Sequence, residues 1–464
     1  MKLKRTSLFV LVLALSTLSC NAQKKNNQRP NVIFILADDL GAGDLHVTGH
    51  PYAKSPNLDK LAKNGIRFEH AYMAAGWCSP SRYGLMSGQY PARRFNDTKN
   101  LDPKEPSVTS VLKAAGYTTA HFGKWHITKG TDYAQTPNDF GIDHYFMNNW
   151  GGQKIDQMWT EDQKSEEFWR AKTTDAYVDM AIDFMEKNSA EKDVKPFFMN
   201  LWIYPTHSYI HPTPEQLAVY DDLKVNYDDF SEQQQEFLNF VSQHGDIDQA
   251  MQAYCADITA MDKALGRLFD YLQKQGLDKN TIIVFTSDNG PGPLTTQIKK
   301  ETVVKRYKEI PDLINSVGYA KHYKDRKLSQ NEGGIRVPFI VHWPGQFAEG
   351  IVDNTSNIQG VDILPTMAAI CQADLPVGQF DGLDITAAFK GKSIKRQEPL
   401  FWHEKEQSTI LIDHWKGYTD GGSFQLYDLK QDPSQTTDLS NSKPKIASRM
   451  EAQLNEWLAI ISKN

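Results

Sequence analysis

The sequence predicts an α/β protein in which a large, mixed but mostly parallel sheet is sandwiched by helices. Two runs, residues 31–36 and 281–286, are almost continuously apolar and rich in β-branched residues. Such runs are typical of parallel strands that are buried on both faces. Strand-like and helix-like segments alternate over most of the chain. From about residue 381 the pattern changes to short runs between turn residues, which predicts a small antiparallel sheet with a terminal helix.

The individual elements are predicted from apolar runs and from the periodicity of apolar positions. Strands of the large sheet are predicted at 31–36, 65–68, 118–121, 197–203, 281–286 and 337–342. Helices are predicted at 57–63, 107–115, 250–275, 362–371 and 444–461. Strands of the small sheet are predicted at 399–403, 408–413, 415–419 and 424–429. The chain thus divides into a signal segment at 1–22, a main α/β domain at 29–378 and a C-terminal α+β subdomain at 379–464.

Composition and charge are those of an ordinary globular protein. The chain has 464 residues, 40% of them hydrophobic, and a formal net charge of -6. This charge argues against a general nucleic-acid binder, so no nucleic-acid partner is expected. It leaves room for an anionic substrate, because a local basic pocket can outweigh a mild global charge. Cys255 and Cys371 lie in apolar stretches and are predicted to be core residues rather than halves of a disulfide.

The N-terminus has the pattern of an export signal. Basic residues within the first five positions precede the apolar run 8–15, which is too short to span a bilayer. Cleavage after Ala22 is one interpretation. The other is a lipoprotein signal that ends before Cys20, because residues 18–20 resemble a loose bacterial lipobox. We favour a lipid anchor on Cys20, and either interpretation predicts an exported protein, periplasmic or attached to the outer membrane or cell surface.

Two of the predicted buried strands end in acid-rich turns. The first runs into Asp38 and Asp39, and the second runs into Asp288 and Asn289. In open α/β sheets ligands bind outside the carboxyl ends of the strands, so we expect these turns to meet there. Three converging carboxylates beside an amide oxygen would repel one another without a cation. Hard oxygen ligands of this kind suit Ca²⁺ or Mg²⁺ rather than zinc. For either turn alone, a solvated loop is the alternative.

The segment from Cys78 to Arg82, Cys-Ser-Pro-Ser-Arg, is followed by Leu85, Ser87 and Gly88. We predict Ser79 as a helix N-cap and Pro80 as the first helical residue. Cys78 would then lie at a helix N-terminus, where free N–H groups and the positive dipole end favour an anion. The segment resembles the modification signature of the sulfatases, a family in which this cysteine is oxidised to formylglycine. A buried cysteine ahead of an ordinary helix is the alternative.

Further segments resemble the sulfatases in family order. Residues 116–126 resemble the segment with an active-site lysine and histidine, which fall on Lys124 and His126. A second histidine falls on His207, and Lys327 lies where the family has a second lysine. The resemblance is strong over residues 31–375 and weak beyond them.

The resemblance implies a covalent mechanism. A formylglycine-generating enzyme would convert Cys78, and the hydrated aldehyde would attack sulfur and displace the alcohol. Ca²⁺ is preferred over Mg²⁺ as the cation. Its predicted ligands are Asp38, Asp39, Asp288, Asn289 and the modified Cys78. The other predicted roles are proton acceptance by Asp288, charge compensation by Lys124 and Lys327, protonation of the leaving oxygen by His207 with Lys327, assistance of the elimination by His126, and anchoring of the modified side chain by Arg82.

The expected substrates are sulfated oligo- or polysaccharides, among them ulvan, carrageenan, fucoidan and glycosaminoglycans. A basic segment between residues 290 and 332 could hold a polyanion, with a solvated excursion as the alternative. Trp77 and Trp150 could stack on sugar rings and Asn148 and Asn149 could bind hydroxyls, with core packing as the alternative for the tryptophans. Two other functions remain open: a phosphonate or phosphate ester hydrolase of the alkaline phosphatase superfamily, and a non-catalytic glycan-binding lipoprotein that retains an unmodified cysteine.

Overall fold

The computed structural model describes residues 29–94, 100–128, 136–148, 159–160, 172–208, 210, 212–294 and 312–462. Three groups of sequence predictions fall outside these residues. They are the signal segment 1–22 with Cys20, the sugar-binding candidates Asn149 and Trp150, and the basic positions between 299 and 308.

The secondary structure follows the predicted alternation. In the described residues the strands are β1 (Asn31–Ala37), β2 (Ile66–Phe68), β3 (Ala71–Tyr72), β4 (Thr118–Lys124), β5 (His144–Asn148), β6 (Trp159–Thr160), β7 (Phe197–Trp202), β8 (Thr281–Ser287), β9 (Phe339–His342), β10 (Ile351–Asp353), β11 (Ile358–Gln359), β12 (Leu400–Glu404), β13 (Gln407–Ile412), β14 (Trp415–Thr419) and β15 (Gln425–Asp428). The helices are α1 (Pro56–Lys63), α2 (Cys78–Ser87), α3 (Val108–Ala114), α4 (Thr173–Ala190), α5 (Pro214–Leu217), α6 (Glu232–His244), α7 (Ile247–Gln275), α8 (Glu332–Ile335), α9 (Ile363–Ile370), α10 (Thr386–Phe389) and α11 (Pro444–Ile461).

The large sheet has the strand order β10-β2-β9-β8-β1-β7-β4-β5-β6. The central strand β1 pairs in parallel with β8 on one side and β7 on the other, so that Val32 lies between Ile282 and Phe198. Strand β4 pairs in parallel with β7 and with β5. Strands β9 and β6 run antiparallel to their neighbours. The predicted mixed, mostly parallel sheet is therefore confirmed.

Both faces of this sheet are covered by helices, because alternate residues of each strand point to opposite sides. Ile33 and Ile35 pack into a core shared with α4 and α7. Val32, Phe34 and Leu36 pack into a second core shared with α2, α3 and α9. Every residue of β1 after Asn31 is buried, which is why the run is apolar throughout rather than alternating.

The C-terminal region forms the predicted small sheet, with the antiparallel order β12-β13-β14-β15. One face packs on α11, where Ile410 and Leu426 meet Met450 and Leu454. The other face, through residues such as Trp402, packs on Tyr72 and Ile335 of the main domain. The division into 29–378 and 379–464 stays a prediction.

Two further sequence predictions have definite outcomes. Cys255 and Cys371 are buried free thiols, as predicted. The capping of α2 was predicted wrongly: the helix already begins at Cys78 with Trp77 as its N-cap, and Ser79 and Pro80 lie within the first turn. The hydroxyl of Ser79 instead donates to the backbone oxygen of His126 (2.5 Å), so tertiary contact decides its role. Among the described helices, none combines the length and apolarity needed to cross a membrane.

Candidate active site

The site lies where four neighbouring parallel strands end. The order β8-β1-β7-β4 places the turn after β8, the turn after β1, the loop after β7 and the end of β4 at the same edge of the sheet. Backbone hydrogen bonds join these segments. The N–H of Asp38 donates to Pro205 O (3.0 Å), Thr206 N–H donates to Asp38 O (2.7 Å), and Asp288 N–H donates to Ala37 O (3.1 Å). The edge therefore gathers residues that are distant in sequence.

Cys78 lies beside this edge, at the first position of α2. Its Sγ is 3.3 Å from Asp38 Oδ1 and 3.7 Å from Asp39 Oδ1. The Nζ of Lys327 is 3.1 Å from the same sulfur. The side chain is almost fully buried. The structure thus brings the cysteine of the Cys-Ser-Pro-Ser-Arg segment against both acidic residues that follow β1.

Cationic side chains surround the carboxylates. Arg82 Nε donates to Asp288 Oδ2 (2.8 Å), and Arg82 Nη2 lies 2.7 Å from the same oxygen in an ion pair. Lys124 Nζ donates to Asp38 Oδ2 (2.7 Å). Lys327 Nζ donates to both carboxylate oxygens of Asp39, at 2.6 and 2.8 Å. Three carboxylates thus face three cations, and their formal charges cancel.

The two predicted histidines also border this cluster. His207 Nε2 is 3.8 Å from Asp39 Oδ2. Burial lowers the pKa of His207 to about 4 and the pKa of His126 to about 2, so both imidazoles are neutral at pH 7. His126 is tied to α2 through its backbone carbonyl, which accepts the hydrogen bond from Ser79.

The buried charges shift the pKa of the nucleophile candidate and of its neighbours. Burial and the nearby Asp288 hold the pKa of the Cys78 thiol well above its usual value. Burial also raises the pKa of Asp288, to about 6. For Asp38, burial acts to raise the pKa, but the positive charges of Lys124, Arg82 and Lys327 outweigh it and hold the pKa well below its usual range. A neutral thiol therefore lies beside an ionised carboxylate.

The ligand atoms at this edge could hold a metal ion. Asp38, Asp39, Cys78 and His207 each offer a ligand atom, and these atoms lie within 4.8 Å of one another. Asn289 Nδ2 donates to Asp39 Oδ1 (2.8 Å), while Asn289 Oδ1 is buried without a hydrogen-bond partner. Buried acceptors are normally satisfied, so this oxygen calls for a donor or a cation. Carboxylate and amide oxygens together suit a cation such as Ca²⁺ or Mg²⁺.

Asp288, which was predicted as a further ligand, lies outside the group of four. Its Oδ2 accepts from Arg82, and its Oδ1 accepts from the N–H of Asp39 (3.1 Å). His207, predicted as an acid, lies inside the group.

The local backbone explains how these side chains are aimed. Asp39 has φ 64°, a left-handed conformation that aspartate tolerates better than most residues. Gly123 has φ 117°, and a Cβ on it would lie 1.8 Å from the backbone oxygen of Trp202. Only glycine permits this approach of β4 to β7 immediately before Lys124.

Ser287 was not singled out from the sequence, yet it links the two acidic turns. Its Oγ accepts from Leu40 N–H (2.9 Å) and donates to Asn289 O (2.9 Å). The feature of the sequence that could have indicated Ser287 is a small hydroxyl residue directly before Asp288. Thr206 has a similar role, since its hydroxyl donates to Asp39 O (3.0 Å).

Two family models match the chain. The model described as Sulfatase covers residues 30–373, and the model described as N-sulphoglucosamine sulphohydrolase, C-terminal, covers residues 320–462.

Individual proteins agree with the first model. The chain is 27% identical to an ulvan-active sulfatase from Formosa agariphila, over 99% of this chain and 88% of that protein. It is 27% identical to the human arylsulfatase A, over 81% of this chain and 70% of that protein. Among solved structures, Ps i-CgsB in complex with k-i-k-neocarrahexaose superposes with a TM-score of 0.75 at 25% identity, covering 93% of both chains.

Proposed function

We propose that this chain, which belongs to the sulfatase family, hydrolyses the sulfate esters of carbohydrates with a nucleophile made from Cys78. The family makes it a sulfuric ester hydrolase. One observation carries the choice of nucleophile. The Sγ of Cys78 lies at a helix N-terminus, 3.3 Å from Asp38 and 3.1 Å from Lys327, among donors that fit a divalent cation.

The electrostatics argue against the cysteine thiol itself as the nucleophile. Thiolate is the reactive form of cysteine, and reactive cysteines have a lowered pKa. Burial and Asp288 raise the pKa of Cys78 instead, so the thiol stays protonated at pH 7. This supports conversion to formylglycine by a formylglycine-generating enzyme, because a hydrated aldehyde offers hydroxyl groups in place of the thiol.

The proposed reaction has two steps. A hydroxyl of the hydrated residue 78 attacks sulfur and loses its proton to Asp288, while the bond from sulfur to the alcohol oxygen breaks. The leaving oxygen is protonated by His207 acting with Lys327. Because His207 is neutral at pH 7, the proton comes from the Lys327 ammonium and the imidazole passes it on. In the second step the other hydroxyl loses its proton with the help of His126, the carbon–oxygen bond to sulfate breaks, and the aldehyde returns.

The remaining charged residues hold the substrate and the nucleophile. Lys124 is a buried ammonium group and Lys327 a partly buried one, and both would balance the negative charge of the sulfate oxygens. Arg82 donates to Asp288 and to Lys124 O (2.9 Å), and this fixed position supports its proposed role in anchoring the modified side chain of residue 78.

Ca²⁺ is the proposed cation, held by Asp38, Asp39, Asp288 and Asn289 with the modified residue 78. When bound it would supply a positive charge at a sulfate oxygen and lower the pKa of the hydroxyl nucleophile. The unpartnered Oδ1 of Asn289 is the observation in favour of a cation here.

The proposed substrates are sulfated oligo- or polysaccharides such as ulvan or carrageenan. Support comes from the relative named as ulvan-active and from the superposed structure that holds a neocarrahexaose.

Two measurements test the proposal. Mass spectrometry of the peptide with residue 78, from protein made in the native host, should show loss of the thiol and gain of the aldehyde. Rates on an aryl sulfate should exceed rates on the matching aryl phosphate. An intact thiol with no turnover would favour the glycan-binding alternative, and faster phosphate hydrolysis would favour the phosphoesterase.

We also propose export with a lipid anchor on Cys20. Membrane fractions of the native host should contain the protein, and Cys20→Ala should move it to the soluble fraction. Equal partition of the variant and the original chain would contradict the anchor.

A further inference from the structure

Two residues border the active site in sequence and in space. Trp77 immediately precedes Cys78, and Leu328 immediately follows Lys327. The two segments are joined, since Leu328 N–H donates to Gly76 O (2.7 Å). Whatever contacts Trp77 and Leu328 therefore lies at the border of the reacting centre.

The C-terminal sheet reaches this border through one turn. The hairpin turn, defined here as residues 404–407, connects β12 and β13. The indole N–H of Trp77 donates to the carboxylate of Glu404. Gln407 Nε2 donates to Leu328 O (3.2 Å), and Gln407 Oε1 accepts from Gln330 N–H (2.9 Å). The same turn therefore contacts the segments beside both Cys78 and Lys327.

The position of the hairpin is fixed by buried contacts elsewhere on its strands. Trp402 Nε1 donates to Met73 O (2.6 Å), and its ring packs edge-on against Tyr72. Lys416 on β14 pairs with Glu332 at 2.8 Å. Removing the side chain of Glu404 leaves all of these contacts intact, so the hairpin should keep its place.

The surface beside the turn has the chemistry of a sugar-binding wall. Trp77 is half-buried, and its polar N–H is already bonded to protein. Leu328 is 58% exposed and has φ 78°, an uncommon conformation for a branched side chain. Strained residues of this kind cluster at ligand sites. An aromatic ring and an exposed leucine, with the carboxylate of Glu404 beside them, suit the apolar face and hydroxyl edge of a pyranose.

We propose that Trp77 and Leu328 form the wall that contacts the sugar ring carrying the sulfate, and that Glu404 is a positioning residue that orients the Trp77 indole. This assignment rests on the proposed function. It gives the C-terminal sheet a direct part in selecting the substrate.

The test compares a carbohydrate with a substrate too small to use the wall. Variants with verified conversion of residue 78 are assayed on an aryl sulfate and on a panel of sulfated ulvan and carrageenan oligosaccharides. For a panel member that the original chain cleaves, Glu404→Ala should raise KM about tenfold and change kcat little. The loss of kcat/KM on the aryl sulfate should be much smaller. Glu404→Gln keeps an acceptor for the indole and should restore most of the affinity.

A double-mutant cycle separates positioning from direct binding by Glu404. Trp77→Phe keeps an aromatic ring but removes the indole N–H. If Glu404 acts through that N–H, adding Glu404→Ala to Trp77→Phe should have no further effect on KM. Additive effects would overturn the positioning role. Asp413→Asn, in the turn that follows β13, is the matched control and should leave both activities unchanged.

Failure of the wall assignment and failure of the proposed function give different results. If the original chain fails on the aryl sulfate, the proposed function fails. If it cleaves the aryl sulfate but no panel carbohydrate, or if both substrates suffer equally in Glu404→Ala, the wall assignment is overturned while the sulfatase activity stands.

Discussion

Two buried charge clusters in this protein have opposite purposes. The acidic site combines Asp38, Asp39 and Asp288 with three cationic side chains. The junction cluster, defined as Glu332, Arg336, Lys416 and Tyr72, lies between the main domain and the C-terminal sheet. There Glu332 accepts from Lys416 at 2.8 Å, Arg336 at 3.0 Å and Tyr72 at 3.1 Å.

The clusters differ in whether their buried polar atoms all have hydrogen-bond partners, and not in how deeply they are buried. Both contain carboxylates with no exposed surface. In the junction cluster, none of the side chains contributes to the buried polar atoms that lack a partner among the described residues. The acidic site leaves Asn289 Oδ1 unpartnered and places a neutral thiol against two carboxylates. A buried acceptor that lacks a donor therefore indicates a ligand site. A cluster in which every acceptor has a donor indicates a structural role.

The largest expected effect is the loss of the nucleophile from the acidic site. In a host that modifies only cysteine, Cys78→Ser should lower kcat on an aryl sulfate at least about 10⁴-fold, because the covalent step disappears. Thermal unfolding should change little. The control is Cys255→Ser, which changes a buried free thiol of α7, and it should retain turnover. Full activity of the Cys78 variant would refute the nucleophile assignment.

Removing one lysine from each cluster should have opposite effects, lowering mainly stability in the junction cluster and mainly activity in the acidic site. Lys416→Met leaves Glu332 buried with one cation fewer, and should lower the free energy of unfolding by about 3 kcal/mol. The folded variant should keep its aryl sulfatase activity within a few fold. Lys124→Met should lower kcat by two decades or more with a smaller loss of stability, because Asp38 retains Arg82 nearby at 3.5 Å. Urea unfolding measures the free energy of unfolding of both variants, and steady-state kinetics measure their kcat. Equal losses of stability would contradict the distinction between the two clusters.

The stability gained on adding Ca²⁺ should depend on residues of the acidic site and not on those of the junction cluster. For EDTA-treated protein, Ca²⁺ at about 100 times its Kd should add about 2.7 kcal/mol of stability, since only the folded state holds the ligands together. Asn289→Leu should reduce this gain, while Glu332→Gln should keep it. Calorimetry with Ca²⁺ and with Mg²⁺ checks both the site and the preferred ion. An unchanged gain in Asn289→Leu would argue against that oxygen as a ligand.

The smallest expected effect is a pH dependence from the junction cluster. Burial acts to raise the pKa of Glu332, but Lys416 and Arg336 outweigh it and lower the pKa below its ordinary value of 4.5. Its contribution to stability is therefore complete above pH 4.5 and is lost as the pH falls through the folded-state pKa. Glu332→Gln should flatten the slope of unfolding free energy against pH below 4.5. An identical slope in both proteins would show that this carboxyl does not titrate there.

The sequence predicted β1, β8 and α7 because their signals are local, but it did not predict α4 and α6. The apolar runs of β1 and β8 and the periodicity of α7 follow directly from burial on two faces or on one. The edge strands β10 and β11 have only two or three residues, too few for a pattern, and they were not predicted. The predicted cap at Ser79 was wrong because its hydroxyl has a better partner in the distant His126.

The fold class, the family resemblance and the candidate residues at the ends of β1, β4 and β8 could all be predicted from the sequence. These depend on residue types and spacing within short segments. Only the folded chain shows that His207 lies within 4.8 Å of the ligand atoms of Asp38, Asp39 and Cys78. It also shows that Asp288 pairs with Arg82, and that Glu404 contacts Trp77 across 327 positions of chain. The physical reason is that such contacts arise where one sheet packs against another, and no local pattern encodes which side chains meet there.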